Sequence, residues 1–194
     1  MKNHSNSNTS MTPSSGGFRG ERKGHFTWLL DNGLGIDHRR KSYLKLPDGS
    51  LFYEKQEQFD RRYLEMADIW AKNSYCLRRK VGALIVKDKM IISDGYNGTP
   101  SGFENICEDD SGKTKPYVLH AEANAITKVA KSNNSSDNAT LYVTTSPCME
   151  CAKLIIQSGI KRVVYCNQYR KNDGLELLRK ANIEIIFFEN IISG

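Results

Sequence analysis

The sequence predicts a mixed α/β domain in which one sheet is covered by helices on both faces. Three observations lead there. Short apolar runs of strand length recur through the chain: VGALIV (81–86), MIIS (90–93), TLYVTT (140–145), RVVYC (162–166) and IEIIFF (183–188). Only the polar Lys87-Asp88-Lys89 separates the first two, which marks a β-hairpin. From residue 120 onward, strand runs alternate with segments of helical length, a pattern that calls for crossovers and parallel strands.

Taken in order, residues 1 to about 24 are rich in Ser, Asn, Thr and Gly and nearly free of large apolar side chains. Such a segment buries too little surface to offset its ordering entropy, and it reads as disordered. Within 25–56, FTWLL and the Pro47-Asp48-Gly49 turn signal in LKLPDGSLFY point to a short hairpin or docked strand pair. Residues 1–56 are therefore read as an N-terminal extension and 57–190 as the compact domain.

The domain opens on a helix near Gln58, where Phe59, Tyr63, Met66 and Trp70 recur at helical spacing through about Asn73. After the hairpin comes a Gly/Pro/Asn-rich loop, DGYNGTPSG, then a helix over about 120–131. Strand 140–145 leads to a helix over about 148–158, stopped by Gly159. Strand 162–166, helix 174–181 and strand 183–188 complete the order α-β-β-α-β-α-β-α-β.

Composition narrows the function classes. No run approaches the ~18 apolar residues of a membrane span, and the N-terminus lacks the apolar core of a secretory signal. Five cysteines, an odd number, do not look like a disulfide framework, so the expectation is free thiols in the cytoplasm, open to metal. The net charge of +6 is uneven: residues 1–56 carry +4 and the rest +2. A nucleic-acid groove would put a basic face on the folded part as well, so a polynucleotide partner is disfavoured.

The chemistry lies in HAEANAI and SPCMEC. Cys148 and Cys151 form a C-x-x-C directly after Pro147, where a strand ends and a helix begins. Two thiols three apart on a first helical turn share one side, and the positive end of the helix favours the thiolate. His120 opens the preceding helix. One imidazole and two thiolates suit zinc, and three protein ligands leave the fourth position open, as in catalytic rather than structural sites. Glu122, two residues from a ligand but not itself one, can then move the protons of an activated water. A redox dithiol would leave His120 and Glu122 without a role. The combination H-x-E…P-C-x-x-C is the signature of zinc nucleobase deaminases.

From about Phe59 to Phe188 the chain resembles the cytidine and deoxycytidylate deaminase superfamily, and within it most resembles the deoxycytidylate deaminases. CLRRKVGALIV, DGYNGTPSGFENIC, HAEANAI, LYVTTSPCMECAKLIIQSGIKRVVYC and the following QYR carry the resemblance. Cytidine deaminases acting on free nucleosides usually place Cys where His120 stands. The tRNA adenosine deaminases share HAE and PCxxC but differ around GYNG-x-P and after VVYC.

The resemblance implies a three-layer α-β-α fold with a mixed five-stranded sheet. It implies one catalytic zinc ion per chain on His120, Cys148 and Cys151, with Glu122 as proton shuttle and Asn97 as a sugar-binding residue. The implied reaction converts dCMP to dUMP and ammonia, supplying dUMP for dTMP synthesis, in a homo-oligomer. Arg78, Arg79 and Lys80, with the Gly95–Gly102 loop, are candidates to hold the phosphate. Some relatives bind a second, structural zinc through cysteines near Cys76 and Cys107, but 108–119 contains no further Cys or His to complete such a site. Lys128 and Lys131 lie where a regulatory nucleotide could bind, a pattern equally that of an exposed helix face. The alternatives are deamination of another base, in a nucleoside or a tRNA adenosine, or a nucleic-acid-binding module with a structural zinc.

Overall fold

A computed structural model of the chain describes residues 43–45, 51–53 and 55–189. The elements run β1 (Tyr43–Lys45), β2 (Leu51–Tyr53), α1 (Lys55–Ala71), β3 (Gly82–Lys87), β4 (Met90–Tyr96), α2 (Ala121–Ala130), β5 (Thr140–Thr145), α3 (Met149–Gln157), β6 (Arg162–Asn167), α4 (Asp173–Lys180) and β7 (Glu184–Phe187). From α1 on, this is the order expected from the hydrophobic pattern. β1 and β2 pair with each other in a two-stranded sheet, the pairing anticipated around Pro47-Asp48-Gly49. The readings of residues 1–24 and of FTWLL lie outside the described residues.

The main sheet has strand order β4-β3-β5-β6-β7. β3 is antiparallel to both its neighbours, whereas β5, β6 and β7 are parallel. The β3–β4 connection is a two-residue turn in which Asp88 and Lys89 both take positive φ, the backbone of a type I′ hairpin. Alternation along β3 divides the core. Leu84 and Val86 face α1, packing with Tyr63, Leu64 and Ala67. Ala83 and Ile85 face the other layer, built from Ala121, Ala125 and Val129 of α2, Ala152 and Ile155 of α3, and Leu175 and Leu178 of α4. The result is the expected three-layer α-β-α arrangement.

Three sequence readings need correction. The buried face of α1 is Asp60, Tyr63, Leu64, Ala67 and Ala71, while Met66 and Trp70 are exposed. Small residues decide this. Gly82 of β3 runs so close to the backbone of Ala67 and Ala71 that a Cβ there would collide with it, and only the alanine side of the helix permits that approach. Trp70 instead donates its indole N–H to Asp94 at the edge strand (2.7 Å).

Secondly, β4 continues to Tyr96 rather than ending at Ser93. Gly95 is not a turn residue. A Cβ at this position would meet the backbone of Ala121 and Ala125, so the glycine lets α2 lie tightly on the strand. Thirdly, not all the thiols are free: Cys76 and Cys107 form a disulfide, with Cα atoms 5.1 Å apart, and only Cys148, Cys151 and Cys166 remain as thiols. Among the described residues, neither Cys76 nor Cys107 belongs to a group of three or more metal-ligating side chains. Among the described residues no helix is long and apolar enough to cross a membrane.

Candidate active site

β4, β5 and β6 all end at the same edge of the sheet, because β3 runs antiparallel to both β4 and β5. Open α/β sheets place ligands beyond such carboxyl ends. Here a cavity of about 420 Å³ opens there, lined by residues that include Arg78, Arg79, Asn97, Glu108, His120, Glu122, Cys148 and Arg170.

Two helix N-termini form its floor. His120 is the N-cap of α2 and Cys148 the N-cap of α3, both with extended backbone and neither using its side chain as a cap. Both side chains are therefore free to face the cavity. The depth of α2 is set by the Gly95 contact, by Ser93 Oγ donating to the Ala125 carbonyl (2.7 Å) and by Asn124 Nδ2 donating to the Tyr96 carbonyl (3.0 Å). The Pro147-Cys148 segment is held from behind. A Cβ on Gly174, in the first turn of α4, would strike the Pro147 and Cys148 backbone, so α4 packs directly beneath it.

His120 Nδ1 lies 3.4 Å from Cys148 Sγ and 3.3 Å from Cys151 Sγ, and the three ligand atoms lie within 4.8 Å of one another. Tetrahedral zinc with ordinary bond lengths needs S···N edges of about 3.5 Å, so the donor set fits the ion in both chemistry and spacing. It is the cluster of metal-ligating side chains found among the described residues. Cys166 lies on β6 in the opposite core layer, its thiol donating to the Thr144 carbonyl (3.3 Å).

The two thiols are coupled through a hydrogen bond that shifts them in opposite directions. A hydrogen bond from Cys151, with further help from His120, holds the Cys148 thiol down to about 3. Cys151, the donor in that bond, is pushed up correspondingly. The bond with Cys148 also pushes His120 up. Glu122 is 4 % exposed, and burial raises its carboxyl above the usual range. The Cys151 thiol is within its hydrogen-bonding reach. The Glu122 carboxyl is not one of the three grouped metal-ligating side chains.

Asn97 also reaches the cavity, but its amide is engaged with protein backbone. Oδ1 accepts from Val81 N–H (2.8 Å) and Nδ2 donates to the Arg79 carbonyl (2.9 Å). Of the basic run, Arg78 and Arg79 line the cavity and Lys80 does not. Lys128 is paired with Asp94 (2.6 Å), which fits an exposed helix face.

Several lining residues carried no sequence assignment: Glu108, Thr114, Thr145, Ser146, Tyr169 and Arg170. The last two belong to QYR, which lies just past the end of β6 and so on the same edge as Cys148. Ser146 Oγ accepts from Tyr169 N–H (2.7 Å) and draws that loop over the site. Glu108 and Thr114 lie in a loop whose folding no local pattern reveals.

The family model for the cytidine and deoxycytidylate deaminase zinc-binding region matches residues 57–167. The chain is 37% identical to deoxycytidylate deaminase of Enterobacteria phage T4, across 63% of this chain and 86% of that protein. It is 38% identical to the Homo sapiens deoxycytidylate deaminase, across 57% and 66%. Its fold is similar to the crystal structure of dCMP deaminase from the cyanophage S-TIM5 in complex with dCMP and dUMP. That match has a TM-score of 0.66 and 43% identity, and covers 70% of this chain and 98% of that one. The matched region contains both helix N-termini that meet in the cavity, and on that ground the chain belongs to the cytidine and deoxycytidylate deaminase family.

Proposed function

We propose that residues 57–190 hydrolyse dCMP to dUMP and ammonia, with His120, Cys148 and Cys151 holding one zinc ion per chain. One observation carries the reading: a single cavity is lined by His120, Cys148 and buried Glu122, with the buried Cys151 thiol completing the metal-ligating trio behind them, and by Arg78, Arg79 and Arg170. The floor matches the ring to be deaminated, and the arginines match a phosphate.

Bound there, zinc would supply Lewis-acid activation of water, lowering its pKa toward about 7. The remaining work belongs to the protein. Glu122 takes a proton from the water as its oxygen bonds to C4 of the cytosine ring, and delivers that proton to N3. C4 becomes tetrahedral. When the C4–N bond breaks, Glu122 passes the second water proton to the departing amino group, which leaves as ammonia, and a C4 carbonyl remains. The burial that raises its proton affinity suits a carboxyl that must both accept and give.

Asn97 retains one N–H and one lone pair beyond its two backbone bonds, enough for a sugar hydroxyl. Guanidinium groups pair with phosphate oxygens by strong charge-assisted bonds. The described core has little of the basic excess a polynucleotide site needs, which favours a free nucleotide. Large side chains left exposed, such as Ile69 and Leu77, support a homo-oligomer, to be measured by light scattering.

The decisive assay is ammonia release from zinc-loaded protein over a panel of dCMP, deoxycytidine, CMP and an adenosine in folded RNA. A charge-assisted hydrogen bond contributes about 1.5–3 kcal/mol, roughly 10- to 150-fold in affinity. Several together should favour dCMP over deoxycytidine by at least about 100-fold in kcat/KM. Equal values for the two would refute the nucleotide assignment while leaving the deaminase chemistry in place.

A further inference from the structure

Two of the three arginines assigned to phosphate, Arg78 and Arg79, lie on an irregular strap, residues 76–81, that belongs to no helix or strand. An irregular segment positions a charge only as well as it is itself held. Asn97 holds the later part of this strap, through Val81 N–H and the Arg79 carbonyl, and the part that bears Arg78 is held from elsewhere. A compact loop, 107–114, faces it. That loop is internally braced. Glu108 and Thr114 form a β-bridge, Lys115 N–H donates to the Cys107 carbonyl (2.8 Å), and Asp109 Oδ1 accepts from the N–H groups of Ser111 and Lys113 (2.9 and 3.0 Å). From this base the loop grips the strap at three points. The Cys76–Cys107 disulfide anchors its start. Glu108 Oε1 accepts from both Leu77 N–H (3.1 Å) and Arg78 N–H (3.2 Å). Thr114 Oγ1 accepts from Arg78 Nη1 (3.2 Å). Arg78 is thus fixed at both its backbone and its guanidinium by one loop.

Glu108 is the unexpected member. It lines the cavity and is 9 % exposed, and a carboxylate facing an anionic substrate would oppose binding unless its charge were used elsewhere. Two strap N–H groups use it. We propose that Glu108 is a positioning residue for the phosphate half of the substrate. It does not touch the substrate but, beside the disulfide, sets the strap so that Arg78 and Arg79 converge on the phosphate. The inference rests on the reading of those arginines as the phosphate site, and extends it to the device that orients them.

The test compares Glu108→Ala and Glu108→Gln with Arg78→Ala and Arg79→Ala in the zinc-loaded full chain. Readouts are KM and kcat for dCMP and deoxycytidine, calorimetric Kd for dUMP and deoxyuridine, and Tm. Glu108→Ala should raise KM for dCMP and Kd for dUMP by about 10-fold, the lower range for one charge-assisted contact. Its kcat, its deoxycytidine KM and its deoxyuridine Kd should stay within about 2-fold. Glu108→Gln keeps an acceptor oxygen at the same reach and should restore dUMP affinity to within about 3-fold of the native protein. Equal losses for the phosphorylated and unphosphorylated ligands would overturn the proposal in favour of a general structural role. So would an unaffected Glu108→Ala, or a Glu108→Gln as impaired as Glu108→Ala. If neither Arg78→Ala nor Arg79→Ala is selectively impaired on dCMP and dUMP, the phosphate reading itself fails. That outcome is separable from one in which the arginines matter and Glu108 does not.

Discussion

Replacing Asp60 tests what holds the domain together without touching the cavity. Asp60 lies on α1 and is 2 % exposed, yet its carboxylate accepts four hydrogen bonds: two from Arg162 (2.8 and 2.7 Å), one from Tyr142 (2.6 Å) and one from Gln56 (2.9 Å). Burial pushes its carboxyl up, but these partners outweigh burial and hold it below its ordinary 3.8. Removing one partner of a buried pair costs about 3–5 kcal/mol, on the order of 10 °C in Tm at about 2–4 °C per kcal/mol. Arg162 keeps a weaker contact with exposed Glu184 (3.2 Å), so the lower half of that range is expected for Asp60→Ala.

The pH dependence has a definite sign. The folded-state value lies below the unfolded one, so the stabilisation is fully present above the unfolded value and is lost as pH falls through the folded one. Thermal melts from pH 7 down to about pH 2 should show the native protein losing stability below about pH 4. Asp60→Ala should be lower at pH 7 and show a shallower acid loss. Arg162 and Thr140 pair at the start of β6 and β5, five residues from the end of β5, or about 16 Å at 3.3 Å per residue. Turnover of the folded variant at 25 °C should therefore stay within about 2-fold of native. A Tm loss under about 3 °C, or an unchanged acid profile, would refute the network's role.

Three further outcomes are expected. Glu122→Gln should keep zinc and lose at least ~10²-fold in turnover, whereas His120→Ala should lose the metal; equal zinc loss in both would make Glu122 a ligand. Elemental analysis should find one zinc per chain, lost in Cys148→Ser and Cys151→Ser but retained in Cys166→Ser; two zincs would contradict the pairing of Cys76 with Cys107. Thiol titration of the denatured, metal-stripped protein should find three of the five cysteines before reduction and all five after it.

How much of this was readable in advance follows from the range of the interactions involved. His120 and Glu122 share one helix start and Cys148 and Cys151 another, so local spacing exposes each pair, while the meeting of the two starts 28 residues apart is set by the sheet. The buried strands declare themselves by apolar runs for the same reason. The inner face of α1 does not, because it is chosen by the approach of Gly82 to Ala67 and Ala71, a contact between distant segments. Gly95 looks like a turn residue until α2 is seen lying on it. Arg170, Glu108 and the Cys76–Cys107 bond meet the cavity only because separate loops converge at one sheet edge.

Asn97, which the resemblance assigns to the sugar, is also tied to the protein backbone. Both ends of its amide bind the strap, at Val81 N–H and the Arg79 carbonyl. Asn97→Ala would therefore release the arginine-bearing segment as well as any sugar contact, and a loss of activity on dCMP would not distinguish the two. The distinction lies in the substrate. If the free N–H or lone pair of Asn97 binds the sugar, removing the 3′-hydroxyl from dCMP should cost the native protein about 10-fold or more in kcat/KM, the scale of an unpaired polar group in a closed site. The same deletion should cost Asn97→Ala nearly nothing, because the partner is already gone. If Asn97 serves only as a backbone clamp, the two effects should multiply, with the full cost of the missing hydroxyl persisting in the variant. The double-mutant logic, with one alteration in the enzyme and one in the substrate, separates contact from scaffold at a residue that geometry alone shows doing the second.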